Sequence, residues 1–278
     1  MTTLIAQPAR SSILTTLRAN WFIYAIDGAL LGIFMISACA FVALLEYPAS
    51  PARRAIDSDF LRRALVGLAM GITALGLIYS PWGKRSGAHM NPAMTLSFLR
   101  LGKISRVDAC FYIVAQFVGA TVGVLLTFAA LGMWVSDRTV NFAVTVPGSL
   151  GNGIAWTGEF IISFALIVIV TSANKRPKLA RFGGCFAAIL LVIYITFEAP
   201  LSGMSLNPAR TFGSAIFAKD WTGWWIYLTA PTLGMLCGIE LLRLTSRSPK
   251  TLCGKLVHSH SSKCFIDCKC LEGRSNDG

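Results

Sequence analysis

Ser86-Gly87-Ala88-His89-Met90-Asn91-Pro92-Ala93-Met94-Thr95 and Ser202-Gly203-Met204-Ser205-Leu206-Asn207-Pro208-Ala209-Arg210-Thr211 share one pattern, S-G-x-x-x-N-P-A-x-T, 116 residues apart. Two copies with matching serine, glycine, asparagine and threonine mark an internal repeat. The likeness extends beyond the motif. Ala115, Gly119 and Gly123 answer Ala230, Gly234 and Gly238 at an offset of 115, and Leu77-Ile78-Tyr79 answers Val192-Ile193-Tyr194. Any fold must therefore give both asparagine stretches equivalent surroundings.

Those surroundings are apolar. Only 14% of the residues are charged, against about 25% in soluble domains. Windows of about 20 apolar residues, the length that crosses roughly 30 Å of hydrocarbon, run from about Trp21 to Leu45, Leu61 to Tyr79, Ala109 to Leu131, Trp156 to Ala173, Phe182 to Phe197 and Trp224 to Leu242. Glycines 67, 71 and 76 suit close helix contact in the second window. Net charge is +12, but the basic residues flank the spans as membrane topology requires, so nucleic-acid binding is not expected.

Each half thus holds three spans and one short segment, Asn91 to Leu101 or Asn207 to about Phe217, half the length a bilayer needs. Three is odd, so the second half enters the membrane inverted. With both termini cytoplasmic, most lysines and arginines fall on the inner side; Arg53, Arg54, Arg62 and Arg63 fall on the outer side, against the rule. The expected organisation is an N-terminal arm over 1–20, a membrane domain over 21–243 with repeats at about 21–131 and 156–243, and a cytoplasmic tail over 244–278.

Asparagine is a good helix N-cap and proline suits the next position, so each Asn-Pro-Ala starts a helix. Two half-length helices entering from opposite faces place their N-termini, each with roughly half a positive charge, at the midplane. Irregular backbone at that depth must be buried or line a wet cavity. Carbonyls of Gly87, Ala88, His89, Gly203 and Ser205 can then form a ladder of acceptors. If Asn91 and Asn207 cap their helices through oxygen, their NH2 groups donate into the lumen. A water there accepts from both asparagines and turns its hydrogens away, which breaks a proton wire, while the positive helix ends repel cations. Arg210, one turn into its helix, adds a fixed cation at a depth where charge is costly. The alternative for Arg210 is a buried salt bridge with Glu198 or Glu159.

At these residues the chain resembles the major intrinsic protein family, the aquaporins and glycerol facilitators, over about residues 20 to 243. The resemblance implies an all-α membrane protein with six transmembrane helices and two re-entrant half-helices in an inverted repeat, packed as a homotetramer with one pore per subunit. It implies a passive channel for water, with small uncharged solutes such as glycerol, urea or hydrogen peroxide as the alternative cargo. It gives Asp27 and Glu159 the role of bracing the pore loops, although the family usually has glutamate at both positions. It places His89 beneath the first half-helix, where a structural role outweighs pH sensing. A selectivity filter falls to Met70 or Gly71, Ile195, Met204 and Arg210. Thr211 follows the arginine as in water-type members, whereas Ile195 and Leu228 depart from them. Neither cofactor nor metal is implied, and the plasma membrane is the expected location.

A secondary transporter is the rival reading, because broken helices and inverted repeats occur there too. It needs a coupling-ion site, for which only Asp27 and Glu159 are available. No hydroxyl–histidine–acid set lies within the spans, so an enzyme is not expected. The tail cysteines Cys253, Cys264, Cys268 and Cys270 lack C-x-x-C spacing, His258 and His260 are separated by one residue, and the cysteines read as reduced thiols before lipidation or metal binding.

Overall fold

The computed structural model describes residues 13–176, 178–245 and 254–256. The tail thiols and imidazoles lie outside the described residues, as do the first 12 of the chain.

Twelve helices follow one another among the described residues: α1 (Ile13–Glu46), α2 (Pro51–Ala55), α3 (Asp59–Tyr79), α4 (Pro81–Ser86), α5 (Pro92–Arg100), α6 (Arg106–Leu131), α7 (Met133–Ser136), α8 (Asn152–Asn174), α9 (Gly183–Phe197), α10 (Ala199–Ser202), α11 (Pro208–Ala218) and α12 (Trp224–Thr245). Six segments are long and apolar enough to cross a bilayer: α1, α3, α6, α8, Ala180–Phe197 and α12. The short α5 and α11 are the two half-length helices, about 14 and 17 Å long at 1.5 Å per residue.

Packing follows the repeat. In the first half α1 lies along α6, and in the second α8 lies along α12. The repeated small residues set both contacts. A Cβ on Gly119 would stand 1.9 Å from the Gly28 carbonyl oxygen, and one on Gly123 would stand 2.3 Å from that of Gly32. At Gly234 the same atom would meet the Phe160 carbonyl oxygen at 2.4 Å. The halves are joined by α3 against α9, and each half-helix packs on the last span of the other half, α5 on α12 and α11 on α6. Gly67 and Gly71 face α9 in this way, but Gly76 has open space around it.

Two local features depart from the sequence reading. Helix α1 is already formed at Ile13, ahead of Trp21, and further along it Asn20 Nδ2 and Tyr24 Oη both donate to Asp108 Oδ1 of α6, at 3.0 and 2.5 Å. The arginines that break the charge rule are held by the protein. Arg62, only 2% exposed, pairs with Glu46 and Asp59 and donates to the Ile56 and Asp57 carbonyls at 2.8 Å. Arg63 Nε donates to the Thr196 carbonyl at 2.9 Å. Both guanidinium groups serve as clasps for the chain around them.

Candidate functional site

The two Asn-Pro-Ala stretches meet at their tips. Asn91 Oδ1 accepts from Ala93 N at 2.9 Å, and Asn207 Oδ1 accepts from Ala209 N at 3.1 Å and Arg210 N at 3.3 Å. Each asparagine therefore caps its own helix, with proline at the first helical position. The amide nitrogens cross between the halves: Asn91 Nδ2 donates to the Leu206 carbonyl at 2.8 Å and Asn207 Nδ2 to the Met90 carbonyl at 2.7 Å. This corrects the expectation of two free NH2 groups. An NH2 has two donors, so one per asparagine remains after the crossing bond.

The loops leading to these caps hold left-handed backbone at residues other than glycine. Ala88 and Met90 have φ of 52° and 46°, and Met204 and Leu206 have 51° and 59°. Such values cost energy unless the surroundings enforce them. The enforcement is a doubled set of hydrogen bonds. Ser86 Oγ accepts from Ala88 N and Ser202 Oγ from Met204 N. Tyr112 Oη donates to the Ser86 carbonyl at 2.6 Å, and Tyr227 Oη to that of Ser202 at 2.5 Å.

The buried acids complete it. Glu159 accepts from Ser202 Oγ (3.0 Å), Ser205 N (2.5 Å) and Leu206 N (2.8 Å). Asp27 accepts from Ser86 Oγ (3.1 Å) and Met90 N (2.8 Å), and makes its third bond with Gln116 Nε2 (2.8 Å) in place of a second backbone N–H. Gln116 also donates to Thr95 Oγ1 at 3.0 Å. The shorter aspartate is thus compensated by a side chain from α6, where the second half has Pro231. Sequence reasoning missed Gln116 and both tyrosines. A lone glutamine in an apolar span was the available signal.

His89 is structural in its contacts. Its ring is stacked between Phe98 and Tyr112, with centroids 4.7 and 4.8 Å away. Its Nε2 lies 2.9 Å from the Gly254 carbonyl, which can only accept, so Nε2 carries hydrogen. Nδ1 lies 3.1 Å from Thr95 Oγ1.

Two cavities share Phe34, Leu191 and Ser205 in their walls, and both asparagines line the smaller of them. The larger, about 580 Å³, is lined by Met70, Ile195, Met204 and Arg210 among others. The smaller, about 110 Å³, is lined by Ala88, His89, Met90, Asn91 and Asn207 and lies toward the described tail segment. Gly71 lies outside both walls: a Cβ there would stand 2.5 Å from Val192 Cγ2, because this face of α3 is pressed on α9. Val66, one turn before Met70 on the same face, does line the larger cavity. Of the loop carbonyls, Gly87 O is taken by Leu256 N at 3.0 Å, so it does not belong to an open ladder. Those of Ala88, His89, Gly203 and Ser205 accept from no backbone N–H among the described residues.

Arg210 forms no ion pair among the described residues, and its Nη1 has no hydrogen-bond partner. The salt-bridge alternative therefore lacks its carboxylate. Glu159 is committed to the loop, and both Glu198 oxygens are themselves without a partner. The result is a guanidinium in the wall of the larger cavity, which it shares with Met70, Ile195 and Met204 and also with the charged residues Glu46, Arg53, Asp59, Arg62 and Arg63.

Comparison with known proteins agrees with this geometry. A family profile described as major intrinsic protein matches residues 22–240. Aquaporin NIP1-2 of Oryza sativa subsp. japonica is 32% identical over 184 residues, which cover 64% of this chain and 60% of that protein. Aquaporin NIP6-1 of Arabidopsis thaliana is 37% identical over 176 residues, covering 63% of this chain and 54% of that protein. The chain thus spans somewhat under two thirds of these relatives. In fold, it is similar to the aquaglyceroporin from Plasmodium falciparum, with a TM-score of 0.64 at 19% identity, over 81% of this chain and 96% of that one. A profile covering most of the chain, six spanning helices and two re-entrant half-helices place this multi-pass integral membrane protein in the major intrinsic protein family.

Proposed function

We propose that the chain is a passive channel for water and small neutral solutes, with the two cavities as the halves of one conduit. The observation that carries this reading is the pairing of Asn91 and Asn207 at the tips of opposed helices, with both side chains in a cavity wall. A water at this point accepts from the remaining amide donors and directs its hydrogens outward, so the proton wire is interrupted there. Two helix N-termini add positive potential, which opposes protons and cations. Met70, Ile195, Met204 and Arg210, with Val66 beside them, form the filter. Among these five side chains only Arg210 offers hydrogen bonds, which suits small uncharged molecules; Glu46, Arg53, Asp59, Arg62 and Arg63 line the same cavity.

Asp27 and Glu159 are committed to the loops rather than to a coupling ion, which favours a channel over a transporter; Glu198 is the buried carboxylate left without a hydrogen-bond partner. The relatives bear the name aquaporin, a channel name rather than an enzyme's. We place the channel domain at residues 21–243, between the arm and the tail, with both termini cytoplasmic and the plasma membrane as location. Exposed Val114, Val118, Val122, Leu125 and Leu126 on α6 supply apolar surface for lipid or for neighbouring subunits of a homotetramer.

Stopped-flow light scattering on proteoliposomes tests this reading. Under an outward osmotic gradient of sucrose, vesicles with the protein are expected to shrink several-fold faster than empty ones. Equal rates overturn water conduction, and swelling in glycerol or urea gradients then reports on the solute alternative.

A further inference from the structure

Gly254, Lys255 and Leu256 form a strap against the first motif loop, although they belong to the tail and have no counterpart in the repeat. Four bonds fix it. The Gly254 carbonyl accepts from His89 Nε2, and Leu256 N donates to the Gly87 carbonyl. Lys255 Nζ donates to the Lys84 carbonyl at 3.0 Å, and the Leu256 carbonyl accepts from Asn174 Nδ2 at 2.8 Å. Lys255 and Leu256 are 3% and 5% exposed, so the segment is built into the protein.

Glycines make room for it. A Cβ on Gly87 would stand 3.0 Å from the Gly254 carbonyl oxygen and 3.2 Å from Lys255 Cγ, and one on Gly183 would stand 3.1 Å from the Leu256 carbonyl oxygen. The second half supplies a parallel. A Cβ on Gly203, the twin of Gly87, would meet Val146 N and O at 2.9 Å, and Thr145 Oγ1 bonds Thr211 Oγ1 at 2.7 Å. The loop between the repeats therefore covers the second motif as the strap covers the first. Val144 of that loop lines the larger cavity, and Leu256 lines the smaller one.

We infer that Leu256, held by this strap, forms a second constriction of the conduit, on the opposite side of the asparagine pair from Arg210. The claim rests on the channel reading above. Its wall partners include Ala74, Met94, Val170 and Ala187, all apolar, in a cavity of only about 110 Å³. These side chains offer no hydrogen bonds to replace those a solute leaves in water, so beside Leu256 water passes more readily than a polyol; the polar side chains of the same wall are His89, Asn91, Ser205 and Asn207. Selectivity in such pores follows width and lining polarity.

The test compares the full chain with Leu256→Ala, Leu256→Trp and a chain ending at Thr245, each purified and reconstituted at equal density. Leu256→Ala and the shortened chain are expected to raise water permeability roughly twofold and glycerol permeability more, while Leu256→Trp lowers both. Permeabilities equal to the full chain's in all three variants overturn the constriction. If all conduct equally, the channel reading survives without it; if none conducts, the channel reading falls as well.

Discussion

Gly119→Val is expected to abolish correctly folded protein, whereas Gly76→Val leaves folding unchanged. At position 119 the new Cβ falls 1.9 Å from a backbone oxygen and 2.8 Å from the Gly28 Cα, with no flexible side chain to give way. Overpacking costs about 1–3 kcal/mol where neighbours can shift. Here two membrane-spanning helices must part along their whole contact, so the cost exceeds that range. Separation also moves Asp27 on α1 away from Gln116 on α6, which undoes the bracing of the first loop. Position 76 faces open space, with nothing within 4 Å. The check is the yield of monodisperse protein on size-exclusion chromatography in detergent. A Gly119→Val protein that elutes and conducts like the parent contradicts the close helix contact.

Glu159→Ala is the second large effect. The substitution leaves the N–H groups of Ser205 and Leu206 without an acceptor in a fully buried setting. Each unsatisfied group costs about 1–3 kcal/mol, so the left-handed backbone at Met204 and Leu206 loses what enforces it. The expected outcome is a lower thermal midpoint in detergent and at least roughly tenfold lower water permeability per subunit, because Leu206 O no longer positions Asn91. Retention of both properties shows that the loop holds its shape without the acid. Glu159→Asp is expected to fall between, since the first half already works with a shorter acid aided by Gln116.

Much of the fold was legible because the repeat and the bilayer are strong constraints. Asn91 and Asn207 announce helix starts by local chemistry alone, and spans follow from length and apolarity. Close contact is expected of glycines 67, 71 and 76, which holds for the first two, whereas in the sequence Ala115, Gly119 and Gly123 are only marks of the repeat; that they meet Gly28 and Gly32 of α1 depends on tertiary geometry. Serines 86 and 202 stood in the motif, but their grip on Asp27 and Glu159 spans 59 and 43 residues of sequence. Gln116 stands opposite Pro231 in the repeat, and that mismatch, with its polarity in an apolar span, was the trace of its role. Gly71 was indistinguishable from Met70 by counting, because only the crossing of α3 and α9 decides which face is free. The strap lies beyond the repeat, where no internal comparison could flag it.

One measurement on a single vesicle preparation bears most directly on the paired asparagines as a conduit for neutral molecules. Vesicles carrying a trapped pH dye are split between a sucrose gradient and a proton gradient, with potassium and valinomycin present to remove any opposing voltage. The expected result is water flow well above that of empty vesicles, together with proton flux no greater than theirs. Proton flux that rises in proportion to the protein, or water flow that does not, contradicts it.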